Sequence, residues 1–287
     1  LLNEAKAVWV SEPDKYLRET VISADVESTI LWEEGKPGQA ITLLQDNMAR
    51  AEQANSAYDR DLVWYYHKLA TFLAEQKRGG EAASVIGHGL ETLAARNQAQ
   101  TDPALLLRRF QAEIVSQNGD DTRAEQMLRT TILDRQKLFG PSLALAVDLL
   151  KLGQLYVKDD KPAAALPLLT EAAPMSTRYF GSNSDPTFQI ALATIEALAD
   201  LSRLQEAGDL LARVENYAMR QGSSSISYGL YMRSHAHLDV AAGDLENAEA
   251  RLDIADAIFY SKGARGDKFE AAAAKTRKRL ERARKSS

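Results

Sequence analysis

The sequence predicts an all-α fold, an α-solenoid of about six two-helix repeats, and three observations carry the prediction. An alanine followed four residues later by leucine or isoleucine recurs every 41 or 42 residues, at Ala40, Ala82, Ala124, Ala165, Ala207 and Ala248. Glycines recur every 41 residues where the second helix of a repeat would end, at Gly140, Gly181, Gly222 and Gly263. No long segment alternates with the period of two that a strand requires. Units that share one period, and cannot bury their apolar faces alone, stack on their neighbours.

The clearest repeat lies in the middle of the chain, around residues 149–172. Its first helix carries one apolar stripe, with spacings of four, three and four residues, formed by Leu145, Leu149, Leu152 and Tyr156. Two aspartates then break the pattern, and Pro162 suits the first turn of a second helix. Gly153 and Ala165 are small, so we expect the two helix backbones to approach closely there.

The other elements follow from the same register. Residues 1–20 are expected to form a tether or an extra helix. The six repeats are predicted at residues 21–56, 57–99, 100–140, 141–181, 182–222 and 223–262. In the first three repeats the helices are expected near 21–34 and 37–53, 58–77 and 79–97, and 103–117 and 120–138. Residues 263–287 are expected to form a basic capping helix.

The charge of the last segment differs from that of the rest. From Lys262 to Ser287 there are ten Lys and Arg residues and three Asp and Glu residues, although the whole chain has a net charge of −5. A solenoid needs a polar cap at its end, whereas a basic helix could also contact nucleic acid or an acidic membrane surface. No aromatic residues are interleaved with these charges. The pattern therefore favours a cap, and we do not expect nucleic acid as a partner.

In the middle repeats the chain resembles the tetratricopeptide repeat family. The residues that carry the resemblance are Leu152-Gly-Gln-Leu-Tyr, Ala165-Leu-Pro-Leu-Leu, Leu138-Phe-Gly-Pro and Tyr179-Phe-Gly. The period exceeds the usual 34 or so residues and is similar to that of the longer repeats of kinesin light chains. HEAT and armadillo repeats have a similar period, but the small-residue and alanine markers favour the tetratricopeptide family. The resemblance implies a right-handed solenoid.

Composition and motifs argue against an enzyme. The chain has no cysteine, which excludes disulfides, thiolate metal sites and a cysteine nucleophile. His235 and His237 are two residues apart and so point to different sides of a helix. No metal-binding, phosphate-loop or serine-nucleophile motif is present. We therefore expect no catalysis, no cofactor and no metal. No apolar run is long enough for a membrane span, and the compartment is not defined, with the cytoplasm slightly favoured.

The resemblance also implies a concave groove lined by the first helix of each repeat. Projected onto this sequence, the groove residues are Trp32, Trp64, His67, Thr71, Arg109, Glu113, Leu150, Gln154, Lys158, Leu192, Glu196, Arg233 and His237. Of these, Arg109, Lys158 and Arg233 are expected to contact acidic groups of a partner. Apolar pockets are expected at Trp32, Trp64, Leu150 and Leu192. Aromatic side chains and arginine dominate binding hot spots, because they bury a large area or form bidentate bonds.

The sequence thus leads to the hypothesis of a non-enzymatic scaffold that binds a peptide or protein segment in its groove. Four alternatives stay open. Trp9, Trp32 and Trp64 all lie in the first quarter of the chain and could instead contact a neighbouring domain or subunit. The polar rows on the first helices could simply face water. The array could be the regulatory or sensor arm of a larger signalling protein such as a kinase, transcription regulator or protease, which the non-Met start at Leu1 suggests. It could also associate with itself. The partner and the oligomeric state are not defined by the sequence.

Overall fold

The computed structural model describes residues 17–53, 59–262 and 264–286. All regular secondary structure in these ranges is helical, which confirms the predicted all-α fold. The chain divides into two compact units, Leu1–Arg135 and Gln136–Ser287, and each is described by itself below. The segment expected to form a tether lies mostly outside the described residues.

The described residues of the first unit form five helices and most of a sixth. They are α1 (Leu17–Glu33), α2 (Pro37–Gln53), α3 (Asp59–Glu75), α4 (Gly79–Ala95), α5 (Asp102–Gln117) and α6 (Asp121–Phe139). Each of α1 and α3 packs against the helix that follows it. Their apolar stripes meet in one core, to which Tyr66, Leu69 and Ile86 contribute.

The second unit contains the remaining helices of the described chain. They are α7 (Leu143–Lys158), α8 (Pro162–Phe180), α9 (Asp185–Asp200), α10 (Leu204–Arg220), α11 (Ile226–Ala242), α12 (Leu245–Ser261) and α13 (Ala264–Ser286). Helix α7 pairs with α8, α9 with α10 and α11 with α12, while α13 packs on α11 and α12. Below, the first helix of each pair is called an A helix and the second a B helix. Ser142, Ser225 and Asp244 cap α7, α11 and α12 by accepting a backbone N–H bond at distances between 3.1 and 3.3 Å.

The residues that mark the repeats in the sequence lie in the core. The six reference alanines are all fully buried, and so are Leu44, Ile86, Leu169 and Leu252 four residues after four of them. Ile195, which stands where the family usually has a small residue, is buried as well and packs with Leu211. The bulkier residue is thus accommodated inside the second unit without leaving the core.

Gly153 and Leu169 explain how closely α7 and α8 approach. A Cβ atom added to Gly153 would lie 2.7 Å from Cδ2 of Leu169, which is closer than packed carbon atoms can be. The leucine side chain therefore rests directly on the α7 backbone. Pro167 and Pro174 lie inside α8, yet both are exposed and the helix continues past them.

The turn between the two helices of a repeat uses one backbone conformation. The residue five positions before each reference alanine has a positive φ in all six repeats: 73° at Gly35, 59° at Lys77, 93° at Gly119, 56° at Asp160, 58° at Ser202 and 84° at Gly243. Glycine adopts this left-handed region without the steric penalty of a Cβ atom. Half of the turns therefore carry a strained residue where glycine would fit.

Replacing Ser202 with glycine is expected to raise the free energy of unfolding by about 1 kcal/mol. The left-handed conformation costs a residue with a Cβ atom about 1–2 kcal/mol, and the greater backbone entropy of glycine in the unfolded chain offsets part of that gain. Urea unfolding followed by circular dichroism measures the change. Gly119→Ser is the reverse substitution at the equivalent turn of another repeat, and should lower the free energy of unfolding by a similar amount. A stabilising Gly119→Ser would contradict the argument.

Across the part of the chain that is described, no helix is both long and apolar enough to cross a membrane.

Candidate functional site

The predicted groove residues of the first unit begin with an aromatic stack. Trp32 of α1 lies half-buried against Phe72 of α3, with ring centroids 4.0 Å apart and planes inclined by 14°. Lys68 of α3 ties the same two helices together. Its Nζ atom donates to Oγ1 of Thr29 at 2.9 Å and pairs with Asp25 at 2.5 Å. Trp32 thus serves mainly to join the first two A helices.

Trp64 is more exposed and belongs to a second group of rings. The ring of His67 stacks on Phe110 of α5 at 3.5 Å between centroids. The indole of Trp64 lies 5.8 Å from His67, edge-on, and 5.6 Å from Phe110. Phe110 is buried, whereas Trp64 is 49% exposed. Trp64, His67 and Phe110 are called the aromatic cluster below.

Polar groups border the aromatic cluster. The hydroxyl of Thr71 donates to the carbonyl oxygen of His67 at 2.9 Å. Arg109 is only 6% exposed, its guanidinium lies 4.9 Å from the Phe110 centroid, and its Nε atom is 3.4 Å from Oε1 of Glu113. The expected role of Arg109 as an open contact for acidic groups therefore needs correction, because its charge is already engaged within the unit.

In the second unit two of the predicted pocket residues lie in the core. Leu150 and Leu192 are 2% and 3% exposed, so they offer no open apolar pocket and the expectation for them is corrected. Gln154 is half-buried on α7, and Lys158 at the end of that helix has an exposed side chain. The side chain of Lys158 has interactions within the chain.

Glu196 and Arg233 form a buried pair between two A helices. Oε1 of Glu196 on α9 accepts a bond from Nη2 of Arg233 on α11 at 2.5 Å and one from the hydroxyl of Ser234 at 2.6 Å. Glu196 is 7% exposed. The arginine was expected to meet an acidic group of a partner, but the acid it meets is in the preceding A helix of its own chain.

One turn further along α9, Asp200 is at the centre of a second group of charged side chains. Its Oδ1 atom lies 2.7 Å from Nε2 of His237 and accepts a bond from Arg279 of α13. The Nη2 atom of Arg279 donates to Asp160. The Nζ atom of Lys275 lies 2.9 Å from the same carboxylate. His237, predicted as a groove residue, is therefore covered by the C-terminal helix.

Sequence reasoning missed several of the residues that complete these groups, namely Lys68, Phe110, Asp160, Asp200, Ser234, Lys275 and Arg279. The sequence held a signal for three of these charged residues. Asp200 follows Glu196 by four residues and so lies on the same face of α9. Lys275 and Arg279 are also four residues apart, within the segment whose excess positive charge is visible in the sequence.

The charges on α13 shift the pKa values of both aspartates. Hydrogen bonds from Lys275 and Arg279 hold the pKa of Asp160 below the usual 3.8. Burial raises the pKa of Asp200, but the hydrogen bonds from His237 and Arg279 outweigh that effect, and the net pKa is also below 3.8. Both groups are therefore ionised in the folded protein wherever ordinary aspartates are.

These shifts predict an acid-dependent loss of stability. A carboxyl group whose pKa is lowered by folding stabilises the protein above its unfolded value, here 3.8, and that contribution disappears as the pH falls through the lower folded value. We expect the thermal midpoint of the wild type to fall more steeply below about pH 4 than that of a Lys275→Gln/Arg279→Gln variant. Equal slopes would show that the α13 contacts do not lower these pKa values.

Among residues 17–53, 59–262 and 264–286, no group of three or more His, Asp or Glu side chains is arranged to hold a metal ion.

No protein-family model matches the chain, and no curated protein does either. Solved structures are similar in fold. BtubC (BKLC) from P. vanneervenii is 20% identical, with a TM-score of 0.63 over 77% of this chain and 88% of that one. A putative kinesin light chain from Podosopora anserina with nearly identical TPR-like repeats is 16% identical, with a TM-score of 0.53 over 73% and 98% of the two chains.

A third similar structure is that of a Rap protein complexed with competence and sporulation factor. It is 12% identical, and the match covers 93% of this chain and 75% of the Rap chain with a TM-score of 0.61. Sequence identities this low show similarity of fold only. The repeat register, the all-helical architecture and these similarities agree. The chain has the tetratricopeptide-like helical repeat fold, in the longer form known from kinesin light chains.

Proposed function

We propose that this protein is a non-enzymatic interaction module that binds a peptide or protein segment on the A-helix face of its first unit. The observation that supports this most directly is the exposed indole of Trp64, which stands on the stacked rings of His67 and Phe110. The fold type agrees with such a role. Of the three similar structures above, the Rap structure is described as a complex with competence and sporulation factor.

The energetic argument rests on the size and support of Trp64. Tryptophan dominates binding hot spots because it buries a large apolar area on association while losing few side-chain rotamers. Here 49% of the residue is exposed to solvent, and the indole packs against the rings of His67 and Phe110. A partner therefore loses little free energy in ordering this side chain when it packs an apolar residue against it.

The groups around Trp64 favour a partner segment that carries both apolar and polar groups. Arg109 and Glu113 are paired with each other. Their charges therefore largely cancel, and the surface beside the rings has little net charge. Thr71 and His67 add polar atoms beside the rings. An apolar side chain flanked by polar or backbone groups fits this surface better than a highly charged segment. In this proposal the partner's apolar residue covers Trp64, and its backbone meets the polar border.

Replacing Trp64 with alanine is the test. Capture of partners from native lysate by the wild-type chain is compared with capture by Trp64→Ala and by Leu133→Ala, a control that truncates an exposed apolar residue on α6. We expect a partner retained by wild type and control, and a loss of affinity for Trp64→Ala of about 30-fold, the equivalent of a 2 kcal/mol hot spot. Unchanged circular dichroism shows that the variants are folded.

Retention of the partner by Trp64→Ala would move the binding site away from the aromatic cluster. Capture of nothing by the wild type would count against an interaction module. Arg109→Glu is unsuitable for this purpose, because a second acid placed at a buried position beside Glu113 would disturb folding itself.

A further inference from the structure

Helix α13 has one face that acts as a cap. Ala273 and Leu280 are buried, and Phe269 packs beside them, against apolar residues of α11 and α12. These contacts cover the end of the last repeat, as a solenoid requires. A cap of this kind needs nothing beyond the repeat that it covers.

A second face of α13 contacts residues beyond the repeat that the helix caps. Lys275 and Arg279 lie one turn apart on this face. The Nζ atom of Lys275 donates to the carbonyl oxygens of Val157 at 2.9 Å and Lys158 at 2.6 Å, at the end of α7. Together with Arg279 it contacts Asp160 in the turn that follows. The basic pair thus binds A-helix ends of two repeats that precede the last one.

The chemistry of these helix ends suits a cation. The final turn of an α-helix exposes carbonyl oxygens that have no intrahelical partner and carries a partial negative charge. At the end of α7 this charge is reinforced by Asp160, and at the end of α9 by Asp200. The carbonyl oxygens of Val157 and Lys158, with the carboxylates of Asp160 and Asp200, are called the acidic surface below.

Helix α13 does not use every acceptor that the acidic surface offers. The Oδ2 atom of Asp200 is buried and has no hydrogen-bond partner in the described structure. Beside it lies a cavity of about 250 Å³, lined by Ser202, His237, Val240 and Arg279 among others. A partner side chain that directs a donor at this oxygen could enter this space. The acidic surface therefore keeps one buried acceptor that α13 does not satisfy.

We propose that the acidic surface is a docking site for a basic helix that carries Lys or Arg residues four positions apart, and that α13 is its resident occupant. A partner helix of this chemistry would bind where α13 lies now, and α13 would be displaced. The charge complementarity and the helix already seated on the surface both support this occupant. The inference concerns the second unit and does not rest on the proposed role of the aromatic cluster.

The ion pairs that α13 makes with Asp160 exchange readily, whereas the pair of Arg279 with Asp200 is largely buried. Asp160 is largely exposed, so its ion pairs are screened by salt. The capping stripe contributes few large side chains, since alanine and threonine occupy positions 273 and 276 between Phe269 and Leu280. Arg277 and Arg284 of α13 also pair with acidic residues of α12. Removing the basic pair should therefore loosen α13 from the acidic surface without unfolding the repeats beneath it.

The test uses full-length variants and a fluorescein-labelled peptide of residues 264–286 as the probe. In Lys275→Glu/Arg279→Glu, we expect hydrogen exchange in α13 to accelerate at least tenfold. The same variant should bind the wild-type peptide at least tenfold more tightly than the wild-type chain does, because its own helix no longer occupies the surface. A peptide that carries the two charge reversals should not bind.

Lys278→Glu/Lys285→Glu is the matched control, with the same charge change at exposed positions of the same helix. It should behave like the wild type in both measurements. If the double reversal disturbs folding by circular dichroism, Lys275→Gln/Arg279→Gln makes the same comparison. Unchanged exchange in α13, no gain in peptide binding, or equal binding of the charge-reversed peptide would each overturn the proposal and leave α13 as a cap alone.

Discussion

Replacing Leu169 with alanine is expected to lower the free energy of unfolding by about 2–5 kcal/mol, the range for large-to-small changes in a core. The side chain is fully buried and rests on the α7 backbone at Gly153. Truncation removes its contacts and leaves a cavity, and the rigid helix backbone opposite cannot collapse to fill it. Urea unfolding measures the loss through the shift of the midpoint.

Thr170→Ala is the control for this prediction, because it changes the next residue of the same helix on its exposed side. Surface changes of this kind usually alter stability by less than about 0.5 kcal/mol. A neutral Leu169→Ala would mean that the repeat register, and with it the assignment of A and B helices, is wrong in this part of the chain.

Replacing Glu196 with alanine is expected to cost a similar amount, about 3–5 kcal/mol, for an electrostatic reason. The carboxylate accepts from Arg233 and Ser234 inside the second unit. Without it, the Arg233 guanidinium remains mostly out of water and has lost its ion-pair partner. An unfolding curve at neutral pH measures the loss.

Two comparisons separate this effect from a general sensitivity to lost ion pairs. Glu206→Ala breaks the exposed pair with Arg203, and should change the unfolding midpoint little because water solvates both groups. Replacing both Glu196 and Arg233 with methionine should recover much of the loss, since a well-packed apolar pair can substitute for a buried ion pair. Failure of the double replacement to recover stability would point to packing, not charge, as the cause.

The repeat could be read from the sequence because its markers are local. The buried alanine, the leucine or isoleucine four residues later and the left-handed turn are all set within a single helix pair. Even the turns without glycine, at Lys77, Asp160 and Ser202, keep the same backbone conformation. The spacing of the neighbouring helices therefore imposes the turn, and the residue type only changes its energy.

The side-chain groups on the A helices could be predicted in part. Periodicity identifies which residues share a face, and it selected Trp64, His67, Glu196, Arg233 and His237 correctly as A-helix residues. It could not identify what each one meets. Arg233 and Glu196 are 37 residues apart, and Arg279 and Asp160 are 119 apart. Such pairs form only when helices from different repeats lie side by side.

The sequence by itself determined the helical class, the 41 to 42-residue period and the residues that must be buried, because each depends on spacing along one helix or one turn. Tertiary structure alone decided which charges remain available. It buries Leu150 and Leu192, pairs Arg233 with Glu196, and brings Lys275 and Arg279 onto the ends of α7 and α9. The physical reason is that a charge is neutralised by whatever lies within a few ångströms in space, and in stacked repeats those neighbours are far away in sequence.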